Sequence, residues 1–227
     1  IDRANTLLPA AQETYAKQVF AAAAGKPVVL VLISGGILSI DDLITPAPAI
    51  VDAFNPAQAG PAALAQTLFG LENRWGKLPV TIYPGSYSSQ LKIQDMAFTT
   101  APGRGYRYYS GTPLFEFGSG LSLTTFTHGC TCDKLGPTDD NISCKCTVKN
   151  TGAMVGDEVV MVFDALSAPI RASIGSSHPV PIKRLVGFER SRLLPGGSAT
   201  VGFSIPKASL SLVTADGSKK LYPGAAH

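Results

Sequence analysis

The sequence predicts an α/β layer followed by an all-β, immunoglobulin-like sandwich. Up to about residue 100, helical stretches alternate with apolar strands, which is typical of a partly parallel sheet with helices on its faces. From about residue 124 only strands and turns remain, at the spacing of a β-sandwich. Between them, residues 103–122 hold five aromatic side chains set among glycines. Aromatics this dense bury large areas, so we expect a packed junction and domains at 1–100 and 124–227, joined by a linker at 101–123.

In the first layer, residues 11–24 predict a helix that Gly25 ends. Residues 28–33 form a continuous apolar run rich in β-branched side chains, which predicts a central parallel strand buried on both faces. The following Ser34-Gly35-Gly36 lies where open α/β sheets place ligands. The same residues also fit a tight turn without a ligand, and both alternatives stay open.

Three more elements complete this layer. Residues 49–54 predict a second strand and residues 61–69 a helix, with proline at its start and Gly70 after its end. Residues 78–84 predict a third strand.

The second layer contains strand patterns separated by turns. Residues 126–133 and 142–150 predict two strands that each carry two cysteines and flank a loop, and residues 158–163 predict another strand. Residues 182–189 and 199–205, on either side of a Pro-Gly-Gly turn, predict a hairpin.

The cysteines stand as Cys130-Thr131-Cys132 and Cys144-Lys145-Cys146. Residues two apart share a face of a strand, and one antiparallel register places Cys130 opposite Cys146 and Cys132 opposite Cys144. We therefore predict two disulfides across one hairpin; the crossed pairing needs a shifted register. A metal site is the alternative, but these pairs lack a histidine at ligand spacing and make a poor zinc signature, so we predict no metal.

A sequon for N-glycosylation, Asn141-Ile142-Ser143, lies beside these cysteines. Paired cysteines with a sequon indicate an oxidising, secreted location, such as the cell wall or extracellular matrix.

Composition excludes several classes of function. The formal net charge is +3 and no run of lysine or arginine occurs, so nucleic acid is not an expected partner. The longest apolar run, residues 27–33, is too short to cross a bilayer. No signal peptide stands at Ile1, and a chain that starts without methionine is expected to be a mature product, a proteolytic piece or part of something longer.

The segments 102–111 and 115–122 resemble the linker of family 3 glycoside hydrolases, the β-glucosidases and β-xylosidases. Residues 27–36, 68–70 and 76–81 are similar to that family's α/β sandwich domain. Two further segments resemble its fibronectin type III-like domain, namely 148–156 and 183–196. The last strand of that domain is expected after Tyr222-Pro223-Gly224, beyond the end of this chain.

Several positions depart from the family pattern. Ile37 stands where proline usually follows the paired glycines, and residues 55–60 replace a glycine-rich turn. Ser119 and Leu123 replace two aromatic residues of the linker, which puts substrate contacts in doubt.

The resemblance implies retaining hydrolysis by an aspartate and a glutamate, without a metal or organic cofactor. In the family the aspartate lies on a barrel, which needs about 250 residues, and the glutamate precedes the segment that Ile1-Asp2-Arg3 resembles. Both are therefore expected upstream, and no catalytic residue is assigned here. Substrate-binding residues are not assigned either.

Local candidates are weaker. Asp41-Asp42 is the best acidic pair, but adjacent residues diverge in direction, and a solvated turn or helix cap is the simpler interpretation. Glu116 is expected to pair with Arg104 or Arg107. The three histidines are scattered and show no metal-ligand spacing; they are His128, His178 and His227.

We therefore expect the C-terminal portion of a secreted β-xylosidase or β-glucosidase, acting on carbohydrate in the parent enzyme. Its expected partners are the missing barrel of its own chain or neighbouring subunits. A non-catalytic extracellular scaffold glycoprotein is the alternative. A carbohydrate-binding module is a third, weaker one, because no exposed aromatic platform is evident and the single Trp75 precedes a predicted strand.

Overall fold

A computed structural model describes residues 3–136, 138–175 and 177–222 of the 227-residue chain. The first part contains two parallel strands, three helices and a short 3-10 helix. In chain order these are α1 (Ala10–Ala22), β1 (Val29–Leu32), α2 (Asp41–Ile44), β2 (Ala49–Asp52), α3 (Gly60–Leu68) and the 3-10 helix η1 (Gly85–Ser89). Helices α1 and α3 and the strands β1 and β2 lie where the sequence predicts them, whereas α2 was not predicted.

The strands β1 and β2 run parallel, with Val29 opposite Ala49 and Leu32 opposite Asp52. Within the described residues β1 has no second neighbour, so the prediction of a central strand is wrong. The apolar run is also not buried on both faces as predicted, because Val29 is 43% and Ile33 62% exposed. The sheet therefore presents an open edge and part of an uncovered apolar face.

The predicted strand at residues 78–84 is also absent as a regular strand. Pro79 and Pro84 lack the N–H that a ladder needs. The segment instead pairs with the aromatic linker: the Ile82 N–H donates to the Phe115 carbonyl at 2.9 Å, and the Leu78 N–H to the Ser119 carbonyl at 2.8 Å. The linker thus replaces the missing strand partner.

The second part is a β-sandwich. A short helix, α4 (Gly105–Tyr108), precedes it, and α5 (Ala168–Gly175) interrupts it. Its strands are β3 (Phe126–Cys132), β4 (Asn141–Asn150), β5 (Gly156–Asp164), β6 (Arg184–Leu193) and β7 (Ser198–Pro206). One sheet has the order β3-β4-β7, and the other pairs β5 with β6. Strand β4 alternates exposed and buried residues along its whole length, as a half-buried antiparallel strand should.

Two clusters of apolar side chains fill the sandwich. Val148 on β4 and Val160 on β5 belong to the first, and Ile142 and Ile205 belong to the second. Facing residues of the two sheets thus form one interior of interdigitating side chains.

The predicted hairpin between residues 182–189 and 199–205 is wrong, because β6 and β7 lie in different sheets. The turn between them carries the chain across the sandwich. Gly196, at φ +73°, adopts a left-handed conformation that glycine accepts without strain. Its N–H donates to the Asn150 carbonyl, and the Asn150 N–H donates to Gly197. These bonds fix the crossing to the end of β4.

A 3-10 helix η2 (Lys207–Leu210) and a two-residue hairpin, β8 (Leu212–Val213) with β9 (Lys219–Lys220), close the described chain. Residues 223–227 lie outside the described residues. The structure therefore does not test the expected strand after Tyr222-Pro223-Gly224, and it does not describe His227.

The β3–β4 hairpin carries the two disulfides in the predicted register. Cys130 lies opposite and bonded to Cys146, and Cys132 opposite and bonded to Cys144. Cys144 and Cys146 are buried, at 4% and 2% exposure, and each belongs to one of the two core clusters. The bridges therefore join the edge strand β3 to both halves of the sandwich interior.

Replacing all four cysteines by serine should lower the free energy of unfolding by about 3 kcal/mol, because the loop between the strands is no longer closed. Removing one bridge should cost less, since the other still closes the loop. Urea denaturation measures both effects, with Thr131→Ser on the exposed face of β3 as the matched control. Equal urea midpoints for the four-serine variant and the parent would show that the bridges do not stabilise the sandwich.

Candidate functional site

The linker aromatics divide between the two parts of the molecule. Tyr109 makes edge-to-face contacts with Tyr83 and Tyr87, at centroid distances of 4.8 and 5.4 Å. Tyr83 and Tyr87 stack on each other at 3.9 Å. Phe115 packs against the core of the first part. These contacts attach the linker to the α/β layer.

Two further linker aromatics face the sandwich. Tyr106 stacks on Phe117 at 4.1 Å, and both meet Phe163 of β5 edge-to-face at 6.1 Å. The Leu185 N–H donates to the Tyr106 hydroxyl at 3.1 Å. The predicted junction is thus an aromatic layer made of two ring clusters, one on each part of the molecule.

Gly103 shows why the linker needs glycine. Its φ is +91°, and a Cβ at this position would lie 2.0 Å from the Tyr108 carbonyl oxygen. Its own carbonyl accepts a hydrogen bond from the Tyr87 hydroxyl at 2.9 Å. Only a residue without a side chain allows this close turn.

Burial raises the pKa of Tyr87 to about 12, with further contributions from Tyr83. Burial also raises the pKa of Tyr109. Because the folded pKa lies above that of the unfolded chain, the stability that the neutral phenol contributes is present below pH ~10 and is lost as pH rises towards 12.

We expect an absorbance titration at 295 nm to show a phenol that ionises well above pH ~10, and Tyr87→Phe should remove this step. A parent protein in which every phenol ionises near pH ~10 would contradict the burial of Tyr87.

Asn73 is the polar centre of the junction, and no sequence motif marks it. It is 1% exposed. Its Oδ1 accepts hydrogen bonds from the Ser122 hydroxyl and the Leu123 N–H, both at 3.1 Å, and its Nδ2 donates to the Val155 carbonyl at 3.1 Å. The Asp157 N–H donates to its backbone carbonyl. One side chain thus joins the first part, the end of the linker and the start of β5.

Charged side chains surround Asn73. Arg192 of β6 reaches Glu72 at 3.2 Å, and Arg190 donates to Asp157 at 2.8 Å and to the Arg74 carbonyl. Hydrogen bonds that Arg74 and Arg192 donate to the Glu72 carboxylate hold its pKa below the usual value.

A second group of charges continues this contact. Glu158, 7% exposed, lies 3.3 Å from both the Lys77 ammonium and the His128 Nε2. One of the three histidines therefore belongs to the junction between the two parts.

The prediction for Glu116 is wrong. It is exposed and pairs with Lys183 at 3.6 Å. Arg104 instead donates to the carbonyls of Lys92 and Asp95, at 3.0 and 2.7 Å. The Arg107 guanidinium lies 5.9 Å from the centre of the Tyr106 ring. Arg104 thus contacts backbone carbonyls and Arg107 an aromatic ring in place of a carboxylate, which a charge-pairing argument from sequence could not foresee.

The acidic pair Asp41-Asp42 starts helix α2 and lines a cavity of about 260 Å³ together with Glu13. The Gly85 N–H donates to both Asp41 oxygens, at 3.2 and 3.0 Å. The Lys17 ammonium lies between Glu13 and Asp42, at 2.6 and 3.2 Å, and the hydrogen bond to Glu13 is the main reason why its pKa is raised. Each carboxylate thus has a partner within the chain, and the N-cap of α2 is Ile40 and not an aspartate.

The Ser34-Gly35-Gly36 segment forms a turn closed by the Ser34 hydroxyl, which donates to the Gly36 carbonyl at 2.7 Å. His178 is buried, and its Nε2 lies 2.7 Å from the Tyr222 hydroxyl. In the described ranges no three His, Cys, Asp or Glu side chains converge on a common metal position. None of the helices described there is long and apolar enough to cross a membrane.

Comparison with known families decides the affiliation of this fold. The profile of the glycosyl hydrolase family 3 C-terminal domain matches residues 1–123, more than half of the chain. The chain belongs to glycoside hydrolase family 3. The profile of the fibronectin type III-like domain matches residues 158–227, which agrees with the observed order of α/β layer and β-sandwich.

Curated family 3 relatives match nearly the whole chain. The chain is 36% identical to exo-1,4-beta-xylosidase bxlB of Emericella nidulans, and the match covers 99% of this chain and 31% of that protein. It is 34% identical to beta-D-xylosidase 1 of Arabidopsis thaliana over 88% of this chain and 30% of that protein. The chain thus spans about a third of the length of these relatives.

Solved family 3 structures agree with this fold. The exo-beta-xylosidase XlnD, in complex with a xylobiose aziridine probe, matches with a TM-score of 0.84 and 28% identity over 99% of this chain and 31% of that one. The beta-D-glucoside glucohydrolase of Trichoderma reesei matches with a TM-score of 0.78 and 26% identity, over 98% and 34%.

The departures from the family 3 pattern lie at exposed or half-buried places. Leu123, in place of an aromatic residue, is 52% exposed next to Asn73, and Ser119 donates its hydroxyl to the Glu116 carbonyl. Ile37 is half-buried, and its carbonyl accepts a hydrogen bond from Arg3. The fold therefore accommodates these replacements without loss of the family's architecture.

Proposed function

We propose that this chain is the C-terminal portion of a secreted, retaining β-xylosidase or β-glucosidase. The single observation that carries the proposal is the match of the chain to the last two domains of family 3, at about a third of the length of relatives named beta-xylosidases. The catalytic aspartate and glutamate would lie upstream of Ile1, and the substrate of the intact protein would be a β-linked carbohydrate.

The arrangement of carboxylates supports this placement. Double displacement needs two carboxyl groups about 5 Å apart that flank the substrate. The best local pair instead holds a backbone N–H through Asp41 and a lysine through Asp42. Catalysis is therefore proposed to depend on residues outside this chain.

In the intact protein this portion would brace the catalytic barrel and form one wall of its pocket. The open edge of β1 and the exposed Val29 and Ile33 favour further polypeptide beside the β1–β2 sheet. We place the domain boundaries at 1–100, 101–123 and 124–227, with the aromatic layer as a stiff link. Carbohydrate and the barrel of its own chain are the proposed partners; neighbouring subunits are the alternative.

Secretion, with attachment of a glycan, is part of the proposal. Two disulfides fit an oxidising compartment. Asn141 is exposed at the first residue of β4, so a glycan on it would extend into solvent.

A non-catalytic extracellular scaffold glycoprotein is the second candidate. The exposed Leu123, at a position where family members carry an aromatic residue, favours it, since a lost aromatic contact weakens the case for sugar binding. In this case the same two domains would assemble with other subunits.

A covalent, xylose- or glucose-configured aziridine probe distinguishes the candidates. The intact gene product should become labelled on a peptide upstream of Ile1, and peptides from residues 1–227 should stay unlabelled. Label within residues 1–227 would contradict the proposal. An intact protein that takes no label and hydrolyses no aryl glycoside would support the scaffold.

A further inference from the structure

A half-buried carboxylate stands at the carboxyl end of the β1–β2 sheet. Asp52 is the last residue of β2 and lies opposite Leu32 of β1. Its Oδ1 accepts a hydrogen bond from the Phe54 N–H at 3.1 Å. Its second oxygen, Oδ2, makes no hydrogen bond or ion pair with the described part of the chain. Burial raises the pKa of Asp52, so water reaches this carboxyl group only in part, and one of its oxygens is open to a donor from outside the chain.

The backbone beside Asp52 is strained. Phe54 adopts φ +50°, a left-handed conformation that residues with a side chain avoid. Its carbonyl accepts a hydrogen bond from the Ser34 N–H at 3.1 Å, which ties the turn after β2 to the Ser34-Gly35-Gly36 turn after β1. Strained residues of this kind cluster at functional sites, and open α/β sheets bind ligands outside the carboxyl ends of their strands. Asp52 therefore lies at the edge where this sheet is expected to meet a ligand.

The start of the described chain lies against the same edge. The Arg3 guanidinium donates to the Ile37 carbonyl at 2.9 Å, and a Cβ added to Gly36 would lie 3.7 Å from its Nη2. Leu7 and Ser39 form a parallel bridge, so the first described residues run alongside the segment that follows the turn after β1. Three residues span at most about 10 Å, and a residue just upstream of Ile1 would therefore stand close to this carboxyl edge.

We propose that Asp52 is a specificity-determining residue that binds the leaving group of the substrate, an inference that rests on the proposed function. With the barrel aspartate as nucleophile, the glutamate shortly upstream of Ile1 would act as the general acid, and a general acid protonates the leaving-group oxygen. A side chain at the edge beside this glutamate faces the leaving group, and not the sugar that becomes bound to the nucleophile.

The chemistry of Asp52 names the class of substrate. A carboxylate oxygen only accepts hydrogen bonds, and charge-assisted bonds of this kind are the strong ones. The hydroxyl of a leaving sugar supplies the donor that Oδ2 lacks, whereas an apolar aryl group supplies none. Asp52 thus favours β-linked disaccharides and longer chains over aryl glycosides.

Replacing Asp52 by asparagine in the intact protein tests this assignment. The amide keeps an oxygen for the Phe54 N–H, but it presents an NH₂ donor where the carboxylate presents an acceptor. We expect kcat/KM for xylobiose or cellobiose to fall about tenfold, since a hydrogen bond to a charged group is lost, and kcat/KM for the aryl β-glycoside of the same sugar to change less than about twofold. Asp133→Asn, an exposed position after β3, is the matched control and should change neither value.

A fall for the disaccharide alone supports the proposal. Equal falls for both substrates assign Asp52 a structural role and overturn it, as does an unchanged disaccharide value. Asp52→Glu keeps the charge but moves it by one methylene, and it should also lower the ratio of the disaccharide value to the aryl value. This second variant replaces the first if far-UV circular dichroism shows that Asp52→Asn does not fold.

Titration calorimetry with xylobiose and cellobiose keeps this claim apart from the proposed function. An intact protein that hydrolyses nothing, yet binds a disaccharide about tenfold more tightly than its Asp52→Asn variant does, refutes only the enzymatic function. An active protein whose variant binds and cleaves the disaccharide like the parent refutes the role of Asp52 alone. An intact protein that neither binds nor cleaves these sugars refutes both.

Discussion

Replacing Arg184 by methionine should destabilise the β-sandwich by about 3–5 kcal/mol, because it leaves a buried charge without its cation. Asp164 and Arg184 face each other across β5 and β6, and their side chains are 5% and 16% exposed. Two guanidinium nitrogens contact Asp164, one of them, Nε, at 3.1 Å. The same guanidinium donates to the carbonyls of Leu210 and Ser211, both at 2.8 Å.

Native-state hydrogen exchange of the β5 and β6 amides measures this loss locally. Lys149→Met on the exposed face of β4 removes the same charge and should change protection by less than about 0.5 kcal/mol. If both variants protected these amides equally well, the buried ion pair would not stabilise the sandwich. A further expectation is early exchange in the segment around Leu210, because Arg184 also holds its carbonyl.

Replacing Asn73 by alanine should weaken the junction by roughly 3 kcal/mol. The change removes three side-chain hydrogen bonds and leaves the part-buried Leu123 N–H and Val155 carbonyl without this partner, at a cost of about 1–3 kcal/mol for each group that water does not reach. Its effect should concentrate where the first part meets β5, since Asn73 joins both. Faster proteolytic cleavage between residues 101 and 123, at unchanged far-UV circular dichroism, is the expected signature.

Asn55→Ala is the matched control, because Asn55 is exposed and its loss should stay within about 0.5 kcal/mol. Cleavage of the Asn73→Ala protein at the rate of this control would mean that the aromatic layer alone holds the two parts together. In that case the stacked rings of Tyr106 and Phe117, and not Asn73, would hold the junction closed.

The sequence predicted best what depends on local spacing. The cysteine register follows from the two-residue period of a strand, and the structure has both pairs opposite each other. Helix α3 begins and ends near its proline and Gly70, because these residues act on their own backbone. The aromatic junction was also predictable, since aromatic side chains this dense need a surface to cover.

Predictions failed where distant residues decide. Whether β6 pairs with β7 depends on the crossing that Asn150 fixes through its bonds to Gly196 and Gly197. An apolar run such as residues 28–33 does not reveal how many neighbours its strand has. Asn73 carries no motif, and only its contacts with Val155 and Leu123, 82 and 50 residues away, show its role. A buried asparagine that binds a linker 50 residues later in the chain leaves no pattern in the sequence around it.

For the candidate site, the sequence allowed an argument about which acidic residues are catalytic, but not about which residues they contact. The divergent directions of adjacent residues argued against a catalytic role for Asp41 and Asp42, but their contacts with Gly85 and Lys17 were not foreseen. The partner of Glu116 was not predictable, because charge pairing does not tell which of several cations shares its surface.

Hydrolysis of aryl β-xylosides and aryl β-glucosides by residues 1–227 alone, beside the intact gene product, tests the central claim most directly. We predict turnover by the intact protein and none above background by residues 1–227, because the aspartate and glutamate of the double displacement are proposed to lie upstream of Ile1. Turnover by residues 1–227 that Asp41→Asn abolishes would contradict this account, since the catalytic carboxylate would then lie within this chain.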